Sequence, residues 1–355
     1  MPVHLDRALP GNLLWRPDAL GGEAAGGDYL EIGIVNNMPD TALRSTEHQF
    51  VALLAAASEN LPVRVTFYAL PGLPRSTTAK HHVDAFYSSI NDLWDRRPDG
   101  LIVTGTEPRH AGLRDEPYWR SFAELIEWAE EQTLSAVWSC LAAHAAVLHI
   151  DGIERVRLSE KRFGLFQCAR GAEHTLTAGA APRLMMPHSR WNDLREKELR
   201  ECGYEVLTRS AEAGVDAFVK HRRSLFLFFQ GHPEYSTNTL LLEYRRDIGR
   251  YLRRERDTYP EMPRCYFGPE TSSMLQAFQA RALRDRGEEL LAEFPTMQAE
   301  ASLRNHWQFA AARTYRNWLT DLAARRQRAR SKRAGRSEWP RRKVRAAQGL
   351  AAGAD

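Results

Sequence analysis

The chain has 355 residues, 43% of them hydrophobic, and a formal net charge of +4; that content favours one large core with extensions over an unfolded chain. The charge sits at one end, since residues 321–355 hold eleven Lys and Arg against three acids, and this excess of eight leaves the rest near −4. No apolar run is long enough to span a bilayer or to resemble a signal-peptide core, and the four cysteines lie too far apart for a disulfide or zinc framework, so reduced thiols in a cytoplasm are expected.

Residues 1–28 read as an irregular segment with scattered Pro and Gly. From Tyr29 short apolar runs alternate with longer helical patterns. Glu31 to Asn36 is expected as a strand, Ser45 to Ser58 as a helix, Pro62 to Leu70 as a strand and Val83 to Trp94 as a helix. Gly100 to Gly105 and Leu134 to Ser139 are buried strands, separated by an amphipathic helix from Glu116 to Glu131 and followed by an Ala-rich helix from Leu141 to His149. Strand then helix, repeated, implies a parallel sheet covered on both faces, a doubly wound α/β fold.

After Gly152 the pattern changes to runs suited to antiparallel strands: Tyr204 to Arg209, Val215 to Lys220 and Ser224 to Phe229. A helix from Thr237 to Arg254 follows. These runs close a main domain at residues 29–267, with a helical extension over 268–326 built from Gly268 to Ala299 and Ser302 to Arg326. Residues 327–355 read as a basic, disordered tail. It could touch RNA or anionic lipid, but apart from Trp339 it lacks interleaved aromatics, so no specific nucleic-acid partner and no membrane partner are expected.

Two segments could carry chemistry. In Trp138-Ser-Cys-Leu-Ala-Ala-His-Ala-Ala146 an apolar strand ends at Cys140 and a helix of small residues starts at once. A thiol there meets a helix N-terminus, which favours thiolate, and the Leu141 amide would face an oxyanion. The alternative is a buried core cysteine. In Gln230-Gly-His-Pro-Glu-Tyr235, Glu234 lies two residues from His232, a spacing that lets a carboxylate orient an imidazole in extended backbone, although His-x-Glu is more often a surface accident. Its place after the most apolar strand adds weight, because functional loops gather at the carboxyl ends of parallel strands.

Cys140, His232 and Glu234 in this order resemble a class I glutamine amidotransferase-like fold. Glutaminases of that fold carry glycine two residues after the cysteine, where this chain has Ala142, which argues against glutamine hydrolysis. A narrower resemblance is to the homoserine O-succinyltransferase and O-acetyltransferase family. It is carried by Asn36-Asn-Met-Pro39, Thr46-Glu-His-Gln49, Phe86-Tyr87, Asp99 to Gly105, Tyr118-Trp119, Glu160-Lys161-Arg-Phe-Gly164, Pro187-His-Ser-Arg190, Gly231 to Tyr235 and Glu243-Tyr-Arg-Arg-Asp247. A weaker echo follows at Leu303 to His306 and Asn317 to Leu319. The departures are Asn37 in place of leucine, two extra residues between Pro39 and Thr46, the 268–299 insertion, and the loop Thr106 to Ala111.

The resemblance implies that residues 29–267 form an acyltransferase domain with Cys140 as acyl nucleophile, His232 as proton acceptor and Glu234 as its partner. Lys161, Ser189 and Arg246 fall where the family contacts the amino acid; read without the motifs, they are a solvated lysine, a loop serine and an exposed helix arginine. Backbone amides of Leu141 and Thr106 are the expected oxyanion donors. Arg109 takes the position that separates succinyl from acetyl users. The implied reaction moves an acyl group from an acyl-CoA co-substrate, succinyl-CoA before acetyl-CoA, to L-homoserine. No permanently bound cofactor and no metal are implied. Another hydroxy-amino acid as acceptor, a cysteine amidohydrolase, a silent binding protein of the same fold, and a homodimer all stay open.

Overall fold

Five-residue apolar runs buried along their whole length form the centre of the sheet, since such runs are too short for a helix and suit strands covered on both faces. The computed structural model describes residues 3–7, 9, 28–171 and 173–337, with side chains as far as residue 331. The parallel strands are β1 (Val3–Leu5), β2 (Leu30–Val35), β3 (Val63–Tyr68), β4 (Gly100–Thr104) and β5 (Ser135–Ser139), joined by β10 (Leu225–Phe229). The antiparallel strands are β6 (Val156–Arg170), β7 (Arg183–Asp193), β8 (Glu205–Ser210) and β9 (Gly214–His221). One ten-stranded sheet results, in the order β1-β3-β2-β4-β5-β10-β9-β8-β6-β7.

Side chains alternate across each strand. Ile102 faces a cluster with Phe50 and Leu54 of α1 (Asp40–Ser58) and Trp318, Leu319 and Leu322 of α10 (Gln308–Ser337). Its neighbours Leu101 and Val103 face α4 (Trp119–Gln132) and α5 (Leu141–Asp151) on the other side. The approach of α10 needs Gly100, where a Cβ would lie 2.8 Å from Leu322 and 3.1 Å from Trp318. The indole N–H of Trp318 also donates to Ser135 Oγ at 2.9 Å. A third cluster joins Phe163 and Leu165 of β6 to α7 (Thr239–Leu252), α8 (Pro269–Arg284) and Trp307.

Four expectations about elements change. The helix expected from Val83 to Trp94 is two helices, α2 (Thr77–Phe86) and α3 (Ile90–Arg96), because Tyr87 is extended and Ser89 forms a capping box with Asp92. Ser224 to Phe229 belongs to both halves: β10 pairs parallel with β5 and antiparallel with β9. The 268–299 stretch is broken into α8, a 3₁₀ segment at Glu288–Glu293 and α9 (Thr296–Ala301). The last helix begins at Gln308, where Asn305 Oδ1 accepts from its N–H at 2.7 Å, and runs to Ser337, past the expected boundary at 326 and into the segment read as a disordered tail. The rest of that tail, like most of the 1–28 segment, lies outside the described residues. Among the described residues no helix is long and apolar enough to cross a membrane.

Candidate active site

Cys140 stands between β5 and α5 with φ +52° and ψ −110°, a conformation that non-glycine residues adopt only when the surroundings impose it. Its N–H donates to the Phe229 carbonyl at 2.7 Å, which ties the elbow to the end of β10. The turn at Gly105 lies against the first residues of α5: a Cβ there would collide with Leu141 and sit 3.1 Å from the Ala142 nitrogen. Thr106 and Leu141, the two expected oxyanion donors, therefore line one crevice.

The β10 strand ends in the loop that carries His232 and Glu234. Glu234 Oε1 lies 2.8 Å from His232 Nδ1, which leaves Nε2 free of that carboxylate, and Cys140 is close enough for its charge to act on the ring. Both loop residues are buried. Burial alone would lower the His232 pKa; charge on Cys140 and Glu234 overrides it and holds the imidazole well above its usual range. The structure thus brings Cys140, His232 and Glu234 together at the elbow.

A charged cluster adjoins it. Tyr235 stacks on His232 with ring centroids 4.1 Å apart and donates its hydroxyl to Glu243 Oε1 at 2.6 Å. Ser189 donates to the other Glu243 oxygen, and Lys161 Nζ lies 3.5 Å from that same oxygen. Lys161 also reaches Asp247 at 3.4 Å, and Arg246 meets Asp247 at 2.9 Å. Burial would raise the Glu243 pKa, but Lys161, Ser189 and Tyr235 hold it below the usual carboxylate range; Lys161 and Arg246 do the same for Asp247. Lys161, Ser189 and Arg246 are therefore brought together, paired with two carboxylates that sequence reasoning did not single out. The visible signal was the i, i+4 spacing of Glu243 and Asp247 on one helix face.

On the other side of the Thr106 turn a cleft of about 440 Å³ is lined by Met38, Arg75, Thr106, Glu107, Arg109 and Arg250, among others. Glu116 Oε1 accepts from the backbone amides of Arg109 and His110 at 2.6 and 2.8 Å, fixing this loop. Asn37, the departure from the family pattern, cross-links the opposite wall: its N–H and Nδ2 donate to Thr104 at 2.8 and 3.1 Å, and Oδ1 accepts from Leu70 at 3.2 Å. Behind that wall a buried chain runs from Asn36 through Tyr87 to Glu47, which also meets His82 at 2.7 Å. The motif Thr46-Glu-His-Gln49 thus supports the cleft from inside.

A family model described as Homoserine O-succinyltransferase matches residues 23–327. A homoserine O-succinyltransferase of Rhodopseudomonas palustris is 46% identical over 85% of this chain and 90% of its own length. Another of Bradyrhizobium japonicum is 46% identical over 85% and 94%. Among solved structures, a glutamine amidotransferase of Thermotoga maritima aligns over 83% of this chain and 99% of its own, with 10% identity and a TM-score of 0.45, a likeness too distant to inform activity. With most of its length matched by the family model and by relatives of this identity, the chain belongs to the homoserine O-succinyltransferase family.

Proposed function

We propose that this protein transfers a succinyl group from succinyl-CoA to the hydroxyl of L-homoserine in two half-reactions through Cys140. The observation that carries this reading is the Glu234–His232–Cys140 unit at the elbow. In the first half-reaction the thiolate attacks the thioester carbonyl, the oxyanion rests on the Leu141 and Thr106 amides, and coenzyme A thiolate leaves. In the second, His232 accepts the proton of the acceptor hydroxyl as its oxygen attacks the acyl-cysteine, and Cys140 is released. The cluster next to Tyr235 has the charges an amino acid requires: Lys161 and Arg246 for its carboxylate, Glu243 and Asp247 for its ammonium, Ser189 for orientation.

Arg246→Ala is expected to slow the homoserine-dependent half-reaction about tenfold or more while leaving acylation of Cys140 near its original rate. Rapid-mixing measurements of the two half-reactions separate them; equal damage to both would assign Arg246 a general structural role. The donor is tested by comparing kcat/KM for succinyl-CoA and acetyl-CoA. Arg109 lines the cleft beside Thr106 and can pair with the distal carboxylate of a succinyl group, whereas a glutamate there would repel it. A charged hydrogen bond of about 1.5–3 kcal/mol corresponds to roughly ten- to a hundredfold, so Arg109→Glu should shift the donor ratio towards acetyl-CoA by that factor. A wild type that prefers acetyl-CoA, or a ratio unmoved by the charge reversal, overturns the donor assignment.

A further inference from the structure

The loop from Gln230 to Glu234 rests on a buried group outside the triad. His188 of β7 and Asp216 of β9 are both fully buried, with His188 Nε2 3.3 Å from Asp216 Oδ1. Arg190 Nε donates to His188 Nδ1 at 3.3 Å, so Nδ1 is the accepting nitrogen and the proton sits on Nε2; Nε2 and Asp216 Oδ1 are left close together, each without a hydrogen-bond partner. Thr208 donates to the other Asp216 oxygen at 2.7 Å. Burial pushes the His188 pKa down, against the pull of Asp216.

The catalytic loop is seated directly on this pair. At Gly231 a Cβ would collide with Asp216 Oδ1 and lie 3.1 Å from His188 Nε2, so only glycine allows the contact. The flanking amides are pinned to the same two strands: Gln230 N–H donates to the Asp216 carbonyl at 2.7 Å, and His232 N–H donates to the carbonyl of Pro187 at 2.8 Å. Cys168 completes a buried S, N, O trio with these two residues. Metal ligation does not fit it, because a ligating Nε2 would need Nδ1–H, and that hydrogen would point at the Arg190 N–H.

We propose that the His188–Asp216 pair is the positioning support of the catalytic base: it fixes Gly231 so that His232 faces Cys140, and it keeps a carboxylate behind the imidazole. The proposal rests on the acyl-transfer reading above. The groups around the His232 ring are Cys140 from the elbow, Glu234 and Tyr235 from its own loop, and His188 from β7, with Arg190 and Asp216 behind. Imidazolium forms at Nε2 when homoserine gives up its proton, so the negative charge of Asp216, seated against Gly231, favours that step in the same sense as Glu234.

The test is Asp216→Asn in the full-length enzyme, with acylatable Cys140 counted by intact-protein mass spectrometry so that rates are expressed per competent site. Both half-reactions should slow about ten- to a hundredfold, within the span of base catalysis, with KM for homoserine and donor changed less than about twofold. The acid limb of the deacylation pH profile marks protonation of His232. Removing a nearby negative charge makes protonation harder, so that limb should move to lower pH by about 0.5–1 unit. Per-site rates and an acid limb equal to wild type overturn the proposal. If Asp216→Asn does not fold, His188→Gln, with one donor and one acceptor, should stay within about threefold of wild type while His188→Leu loses about tenfold or more; equal rates for these two overturn it as well. Acylation of wild-type Cys140 by succinyl-CoA tests the underlying reading separately.

Discussion

Cys140→Ala should abolish both the covalent acyl adduct and turnover, with a loss on the order of 10⁴-fold or more, because no other group can take the acyl chain. The substitution is suited to the site. Alanine has a Cβ like cysteine, so it meets the same positive φ without new strain, and the backbone N–H still donates to the Phe229 carbonyl. The remaining described cysteines offer no substitute nucleophile in this unit. Cys168 is buried, and burial pushes its thiol far up; Cys202 packs beside the cluster under α5; Cys265 is exposed but is not among the groups acting on His232. Intact-protein mass spectrometry after mixing with succinyl-CoA reads the adduct directly. A labile acyl group that persists on the alanine variant would move the nucleophile elsewhere.

His232→Ala should cost at least about a hundredfold in turnover, the lower end for removal of a general base. Both half-reactions should suffer, since in the proposed mechanism the imidazole supports attack by Cys140 in one and accepts the hydroxyl proton in the other. Glu234→Gln is expected to cost less. The amide can still accept from Nδ1–H across 2.8 Å, but it removes one of the charges that hold the imidazole above its usual pKa range. The measurement is steady-state turnover for both variants beside the wild type. Normal turnover after His232→Ala, or a larger loss for Glu234→Gln, would break the assignment of base and orienting partner.

The parallel half of the sheet and the grouping of Cys140, His232 and Glu234 were legible in the sequence because both are written locally. Gly100 to Thr104 and Ser135 to Ser139 are apolar runs bounded by turns, and His232 with Glu234 sits just beyond the most apolar strand. The β6–β7 hairpin was not legible. Val156 to Arg162 alternates between exposed and half-buried residues, and its register with β7 is broken between Arg157 and Arg162, so no apolar period announces it. Strand β1 has only three residues and is defined by its pairing with Val63 to Val65. The same reason hides half of the site. Glu243 meets Ser189 across 54 positions, and Asp216 meets His188 across 28, contacts that exist only once strands from distant segments are laid side by side. Local pattern could name Cys140 and His232; it could not name what holds them.

The position of α10 has a consequence for how the chain comes into being. Trp318, Leu319 and Leu322 seal the sheet face formed by Ile32 and Ile102, and Arg326 joins Asp99 at 3.0 Å and the Tyr29 carbonyl. The cover of β2 is thus encoded about 280 residues further along the chain. At about 5–20 residues per second, roughly 15 to 60 s separate the synthesis of β2 from that of the helix that covers it. From the moment β4 joins β2 until that helix emerges, a nascent chain carries an apolar sheet face without its cover, a surface on which unfinished copies can adhere to one another. A chain cut before Gln308 would keep every residue of the triad and remain in that unfinished state.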